Sequence, residues 1–482
     1  MSEPRVGAEE IAARLRLPRP TDQQRRVIEA DFRSPALVIA GAGSGKTETM
    51  ANRVLWLLAN GFVRPSEVMG LTFTRKAAGE LSARVRKRIA ELTSAGLLDL
   101  DDDELEPPEI ATYNSYANVL YRDNASVLGR EADGTVLGAA AAWQLARTIV
   151  TRSPDARLLE QERSLDQVTE AVLAVSRALA DNVATAESVR EYVGEFAGIL
   201  ELPLGSRYEY AWVADIVSTV GELDLLLDLA AEYDAAKVAR GFIEYSDQVA
   251  LALEIVRRDH GVVETERLRH GVVLLDEYQD TSVTQTWLLS ELFASHPVMA
   301  VGDPNQSIYG WRGASASNLD QFAAQFGAGQ QFSLSMSWRN GTRILDAANT
   351  IVEPFVSQHR VPVARLDPRP DASELPVDVV FSQTLAEEAA AVAEWLERRL
   401  AQKTYGKAGT EPPSAALLMR ARRTQPVFLS ALRERGIKYH VLGLGGLLGE
   451  PEVADVVCAL SVVHSAEAGM ELIRLLAGSR WR

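Results

Sequence analysis

Lys46 and Thr47 close a glycine-dense turn, Ala40-Gly41-Ala42-Gly43-Ser44-Gly45, that follows the apolar residues Val38 and Ile39. Glycines there let successive backbone N–H groups converge on phosphate oxygens with no Cβ in the way, and the helix opening at Lys46 adds its dipole. The lysine would neutralise the β- and γ-phosphates of a nucleotide, and the Thr47 hydroxyl would ligate Mg²⁺. The pattern G-x-x-x-x-G-K-[ST] asks for glycine at position 40, where this chain has Ala40. A plain tight turn would account for the glycines but not for Lys-Thr after an apolar strand. A second feature is the acid pair Asp276-Glu277, directly after the apolar run 271–275. Adjacent acids at a strand end often cap a helix. Beside a phosphate loop they gain another use, because Mg²⁺ needs a carboxylate and attack on a γ-phosphate needs a group that orients and deprotonates water. Asp276 suits the first role and Glu277 the second. Gln23 and Gln24 lie just upstream of the loop; a side-chain amide can read an adenine edge, and a solvated helix face explains them as well.

These residues need elements to hold them. The sequence predicts a helix from Ala8 to Leu17, ended by Pro18 and Pro20, and a second one capped by Thr21. After the loop a helix spans Glu48 to Leu58 and stops at Asn60-Gly61. Residues 68–74 read as a buried strand and Arg75 to Leu92 as a helix, apolar at Ala78, Leu81, Val85 and Ile89. Its other face carries Arg75, Lys76, Arg84, Arg86, Lys87 and Arg88. The first two stand at a strand end beside a helix N-terminus, a place for phosphates, while the distal arginines fit a solvated face equally. An acidic loop (99–106) precedes a strand-to-helix transition at 110–116. From about 120 to 240 alanine- and leucine-rich helices form an insertion. Strands return at 271–275 and 298–301, the second leading into Gly302-Asp303-Pro304-Asn305-Gln306. Strands alternating with helices indicate a parallel sheet with its ligand crevice at the C-terminal strand ends. A further α/β region is expected from Phe332, with strands at 377–381 and 415–419 and a last helix at 466–476. Stretches 99–109 and 403–414 are the expected flexible spots.

Length and composition set bounds. A chain of 482 residues holds roughly two to four domains. Cys458 is the only cysteine, which excludes a disulfide framework and a thiolate-rich metal site. No apolar run spans a bilayer and the N-terminus has no signal region, so a cytoplasmic protein with no membrane partner is expected. The net charge of −16 argues against nucleic-acid binding in bulk, but local potential near the phosphates governs contact.

Lys46-Thr47, Leu71-Thr72-Phe73-Thr74-Arg75-Lys76-Ala77-Ala78, Asp276-Glu277-Tyr278-Gln279-Asp280-Thr281 and the block from Val301-Gly302-Asp303-Pro304-Asn305-Gln306 through Ser307-Ile308-Tyr309-Gly310-Trp311-Arg312-Gly313-Ala314 resemble the UvrD/PcrA/Rep family of superfamily-one DNA helicases. Order and approximate spacing agree, and the wording of 70–79 looks most like the actinobacterial helicase–nuclease (AdnAB-type) branch. The resemblance runs from about Thr21 to the chain end. It implies an α/β fold: a RecA-like P-loop NTPase sheet with a helical insertion and part of a second RecA-like domain. The implied segments are 1–118 and 241–331 for domain 1A, 119–240 for domain 1B, 332–462 for the first part of 2A, and 463–482 for the start of 2B.

The resemblance also implies roles. Gln24 matches the adenine-reading glutamine, and Ala40 through Thr47 with Glu48 the nucleotide loop. Gln306 matches the residue sensing the γ-phosphate, and Ser337-Trp338-Arg339 the block that makes Arg339 a γ-phosphate arginine. Phe73, Tyr309 and Trp311 match aromatics on which single-strand bases stack, with Thr74, Arg75, Lys76, Asn114 and Arg312 completing the DNA contact. Arg75, Asn114 and Pro304-Asn305 depart from the residues usual there (Asn, His and two acids). The family's later blocks, including a second phosphate arginine, are absent from these 482 residues. The implied function is an ATP- and Mg²⁺-dependent 3′-to-5′ helicase acting on single-stranded DNA and 3′-tailed duplex in repair or recombination, possible partner subunits being of the helicase–nuclease kind. For this chain, binding with weakened turnover is expected. A non-motor nucleotide- and DNA-binding subunit of a repair complex is the rival reading. A small-molecule P-loop kinase is a third, with no use for the block 306–311.

Overall fold

β-branched and leucine-rich runs become strands: β1 Ala36–Ala40, β2 Val68–Thr72, β3 Glu109–Thr112, β4 Thr135–Val136, β5 Phe242–Ile243, β6 Val272–Leu275, β7 Val298–Gly302, β8 Gln330–Leu334, β9 Met336–Ser337 and β10 Asp367–Pro368. The structure, a computed structural model, describes residues 4–98, 106–159, 163–202, 211–310, 317–327, 329–358, 361, 363–401, 414–442, 451–464 and 468–477. Six strands form one all-parallel sheet in the order β3-β2-β6-β7-β1-β8. Register sets Val38 level with Val301 on one side and Phe332 on the other.

Side chains that alternate along β1 enter opposite cores. Ala36, Val38 and Ala40 pack with helices Lys46–Ala59 and Arg75–Ser94, while Leu37 and Ile39 pack with Tyr113–Asn124, Tyr245–Arg258 and Val283–Phe293. A sheet covered on both faces needs strands apolar throughout, which is why β1, β2, β6 and β7 show no polar alternation. Each Leu, Ile or Val buried this way contributes about 1.5–3 kcal/mol. Side-chain caps then fix where helices begin: Thr74 accepts from Ala77 N at 3.1 Å and Thr112 from Ser115 N at 3.1 Å. Thr74 stands just past β2 and Thr112 is the last residue of β3, so helix N-termini gather at one edge of the sheet and make it attractive to anions.

From about 120 to 240 the described residues are mostly helical, as expected. Ala139–Arg152, Leu165–Asn182 and Leu223–Ala239 enclose their own core around Val150, Val172, Leu229 and Tyr233, and the β4–β5 ladder joins its entry to its exit.

The chain divides into two compact units, residues 1–376 and 377–482. Residue 332, where a new α/β region was expected, lies inside β8 and in the first sheet, because β1 supplies its ladder partner. The second unit contains helices Leu385–Ala401, Gln425–Glu434, Pro451–His464 and Gly469–Ala477, with a small core at Ala393, Leu396 and Leu432. The last of these is the helix expected at 466–476. The strands expected at 377–381 and 415–419 do not form: both stretches are irregular and have no ladder partner among the described residues. Val379, Phe381 and Leu418 are exposed instead. An apolar run becomes a strand only when a neighbour takes its backbone groups. Most of the two expected flexible spots, 99–109 and 403–414, lies outside the described residues. Among the described residues no helix is long and apolar enough to cross a membrane.

Candidate functional site

The phosphate-type loop bends through two left-handed glycines, Gly43 at φ +76° and Gly45 at φ +83°, and Lys46 opens the following helix. A Cβ on Gly45 would lie 2.9 Å from Gln24 Nε2, the movable end of a side chain, so it is the left-handed backbone that favours glycine there. Lys46 Nζ meets Glu277 Oε2 at 3.0 Å, with the lysine side chain 11% exposed. The lysine turn and the paired acids, 230 positions apart in the chain, therefore share one place. β6 delivers the acids: Asp276 N donates to Leu71 O at 2.8 Å, and Tyr113 OH donates to Asp276 O at 2.7 Å.

Asp276 is buried, and its Oδ1 has no hydrogen-bond partner among the described residues. Burial first, and the Glu277 charge second, push its pKa up to about 6. An orphaned buried carboxylate oxygen, taken with a loop hydroxyl such as that of Thr47, is a donor set that fits a hard cation like Mg²⁺. Glu277 sits at φ +49°, a left-handed conformation that costs a non-glycine residue about 1–3 kcal/mol and is tolerated where neighbours over-determine it. Those neighbours continue as a relay. Gln279 Nε2 donates to Glu277 Oε2 at 2.9 Å, Asp303 N donates to Gln279 Oε1 at 3.0 Å, and Gln306 Nε2 donates to Asp303 Oδ2 at 2.6 Å. Burial raises the Asp303 pKa, opposed by the Gln306 bond. Lys46, Glu277 and Gln306 are thus brought together, with Gln279 and Asp303 as links that the sequence reading gave no role.

On the other flank, Trp338 N donates to Gly43 O at 2.8 Å and Ser337 Oγ to Ala42 O at 2.9 Å. Arg339 Cβ lies 2.8 Å from where a Cβ on Gly43 would stand, so Arg339 is beside the loop with its side chain exposed. Gln24 serves as the third residue of a capping box: Thr21 N donates to its Oε1 at 3.0 Å, and its Nε2 reaches Ser44 O at 3.5 Å. The half-exposed Trp338 indole stands close by, 4.0 Å from the Cβ position of Gly45. Sequence reasoning named Trp338 only within the block 337–339 and gave its ring no role; an aromatic directly before the matched arginine was the available signal. Glu48 turns its carboxylate to Arg88 at 3.1 Å and Arg84 at 3.5 Å.

A hollow of about 240 Å³ opens on the same edge, lined in part by Phe73, Thr74, Glu277, Gln306 and Tyr309. Phe73 and Tyr309 lie ring to ring, centroids 4.5 Å apart at 31°. Arg75 and Lys76 are exposed at the head of their helix. Asn114 is exposed past β3 and accepts from Gln285 Nε2 at 2.7 Å; it does not line the hollow. Trp311 and Arg312 lie outside the described residues.

A doubly covered parallel sheet, a glycine loop ending in Lys-Thr and an acid pair two strands over, across β7, define a P-loop nucleotide-binding protein. Residues 20–327 match the family model described as the UvrD/REP helicase N-terminal domain, and the chain belongs to that family of superfamily-one DNA helicases. It is similar to the ATP-dependent DNA helicase UvrD2 of Mycobacterium tuberculosis, 28% identical over 94% of this chain and 59% of the relative. The ATP-dependent DNA helicase Rep of Escherichia coli is 25% identical over 92% of this chain and 58% of its own length, and PcrA of Bacillus subtilis 23% over 94% and 54%. The chain therefore spans between half and two thirds of the length of these relatives.

Proposed function

We propose that this chain binds ATP at the Lys46 loop and single-stranded DNA over Phe73 and Tyr309, as the motor portion of a 3′-to-5′ DNA helicase of repair or recombination. The single observation carrying this reading is the unbroken relay Lys46–Glu277–Gln279–Asp303–Gln306, whose two ends touch the nucleotide loop and the aromatic hollow. Without nucleotide, Lys46 neutralises Glu277. An arriving triphosphate competes for the ammonium and frees the Glu277 carboxylate, which Gln279 still orients, to take a proton from water. Arg339 approaches the γ-phosphate from the Gly43 side, and the Trp338 ring with the Gln24 amide forms a surface for the base. Mg²⁺, held by Thr47 and Asp276, would neutralise charge on the β- and γ-phosphates. Stacking on Phe73 and Tyr309 reads no sequence and is worth about 1–3 kcal/mol per base, which suits stepping along any strand. Arg75 and Lys76, with Asn114, Trp311 and Arg312, extend that contact.

For these 482 residues the proposal is binding with weak turnover, since a second arginine on the transferring phosphate is worth about 10³-fold or more. The wording of 70–79 supports the helicase–nuclease branch and a partner subunit of that kind. The test titrates a fluorescent ATP analogue and oligo(dT) separately into the chain. Lys46→Ala should weaken nucleotide binding by more than about tenfold and Glu277→Gln by much less, while steady-state hydrolysis drops in both. Phe73→Ala should weaken oligo(dT) alone. Nucleotide binding indifferent to Lys46→Ala would defeat the reading. A non-motor subunit would bind both ligands yet show no DNA-stimulated hydrolysis even when joined to the remaining helicase blocks.

A further inference from the structure

The relay links strand and nucleotide through the sheet edge. A second connection runs through the helix Arg75–Ser94, and the proposed function does not use it. This helix has 20 residues, about 30 Å. Its head presents Arg75 and Lys76, and its first turn contributes Ala77 to the hollow under Phe73 and Tyr309. About 14 and 20 Å further along, Arg84 and Arg88 close on one carboxylate of the phosphate-loop helix: Arg88 Nη2 on Glu48 Oε1 at 3.1 Å, Arg84 Nη1 on Glu48 Oε2 at 3.5 Å. Arg88 is held further by Glu91 Oε2 at 3.2 Å, and its side chain is only 16% exposed. Leu81, Val85 and Leu92 bury the facing side, so the helix moves as one rod against the phosphate-loop helix. Glu48 stands one residue after Thr47 and two after Lys46, in the same helical turn. An acid there is also favoured by the helix dipole.

We propose that Glu48, bracketed by Arg84 and Arg88, is a positioning residue that couples strand contact at the head of the Arg75–Ser94 helix to the grip of Lys46 and Thr47 on phosphate. The inference rests on the proposed nucleotide and strand sites. A strand that shifts the helix head tilts the rod, and the bracket transmits the tilt to the first turn carrying Lys46 and Thr47. Apolar packing alone would let that turn slide, because dispersion contacts have no direction, whereas Arg88, bridging Glu48 and Glu91, and Arg84 on the other Glu48 oxygen hold the carboxylate from two sides.

The experiment measures affinity for a fluorescent non-hydrolysable ATP analogue, with and without saturating oligo(dT), on the 482-residue chain. The ratio of the two dissociation constants is the coupling, and by linkage the nucleotide must tighten oligo(dT) by the same factor. The wild type should show a ratio of about tenfold. Arg88→Gln should lower it to about twofold or less while leaving nucleotide affinity without DNA nearly unchanged. Arg88→Lys, which keeps the charge but loses the fork, should fall between. Arg86→Gln removes the same charge from the same helix, where Arg86 bonds, among the described residues, only to Ser82 in its own helix, and should leave the ratio intact. Glu48→Gln combined with Arg88→Gln should lose no more coupling than either alone. A ratio preserved in Arg88→Gln, or lost equally in Arg86→Gln, overturns the bracket. A wild type that binds both ligands independently, ratio one, overturns it too. A wild type that binds neither ligand instead refutes the site reading beneath it.

Discussion

Asp276 holds a carboxylate where water cannot reach it and where Glu277 adds a second negative charge, and both effects favour the protonated acid. The folded pKa of about 6 lies above the ordinary carboxylate value, so the folded state keeps a proton that the unfolded chain has lost. Stability from this group is thus fully present below about pH 4 and disappears as pH rises through 6, a swing of about 3 kcal/mol at most. Asp276→Asn removes the buried charge. At pH 7.5 the variant should melt a few degrees above the wild type, and the advantage should shrink toward pH 4 while Mg²⁺-dependent nucleotide binding is lost at every pH. Calorimetry across that range decides it; a variant less stable at pH 7.5 would mean that the carboxylate is already compensated. Asp280, also raised to about 6 by burial and by Glu277, is common to both proteins and cancels. The sequence disclosed Lys46, Thr47, Asp276 and Glu277 because each stands in a local pattern. It did not disclose Gln279 and Asp303, whose bond joins residues 24 positions apart and exists only once β6 and β7 lie side by side.

Elements were legible where local signals agree with tertiary need. Thr21 and Gln24 both point to a helix start, and the structure closes the capping box there. That cap has a second consequence, because Gln24 is held between Thr21 and Ser44 of the phosphate loop. Thr21→Ala should therefore lower stability by about 1 kcal/mol, the usual worth of a cap, and also weaken binding of an adenine nucleotide more than that of inorganic triphosphate. Weakening both ligands equally would make the cap structural only. The runs at 377–381 and 415–419 mark the opposite case. Their composition favours strands, but β-propensity describes fitting a half-buried pleated surface, and neither run has one among the described residues. The strand at 330–334 went the other way, joining the first sheet because β1 offered an open edge. Composition gives no sign of either outcome, since both turn on which backbone stands alongside.

Across the molecule, the two units are unequal. The first has a sheet with apolar cores on both faces and a third core in its helical insertion. Among the described residues, the second has three buried apolar side chains at the centre of its cluster and leaves Phe381 wholly exposed, with Leu418 and Val379 nearly so. Stability scales with apolar area removed from water, and a unit with little of it opens at low free energy. Heating should therefore give two transitions instead of one. The first should be small, increase binding of a hydrophobic dye, and leave nucleotide affinity intact, because every residue proposed to hold ATP lies before Pro376. Limited proteolysis at 25 °C should cut beyond residue 377 first and leave a resistant fragment that still binds the nucleotide and oligo(dT). A single cooperative transition that abolishes dye-free folding and nucleotide binding together would show that the second unit shares in the stability of the first, since independent units do not melt as one.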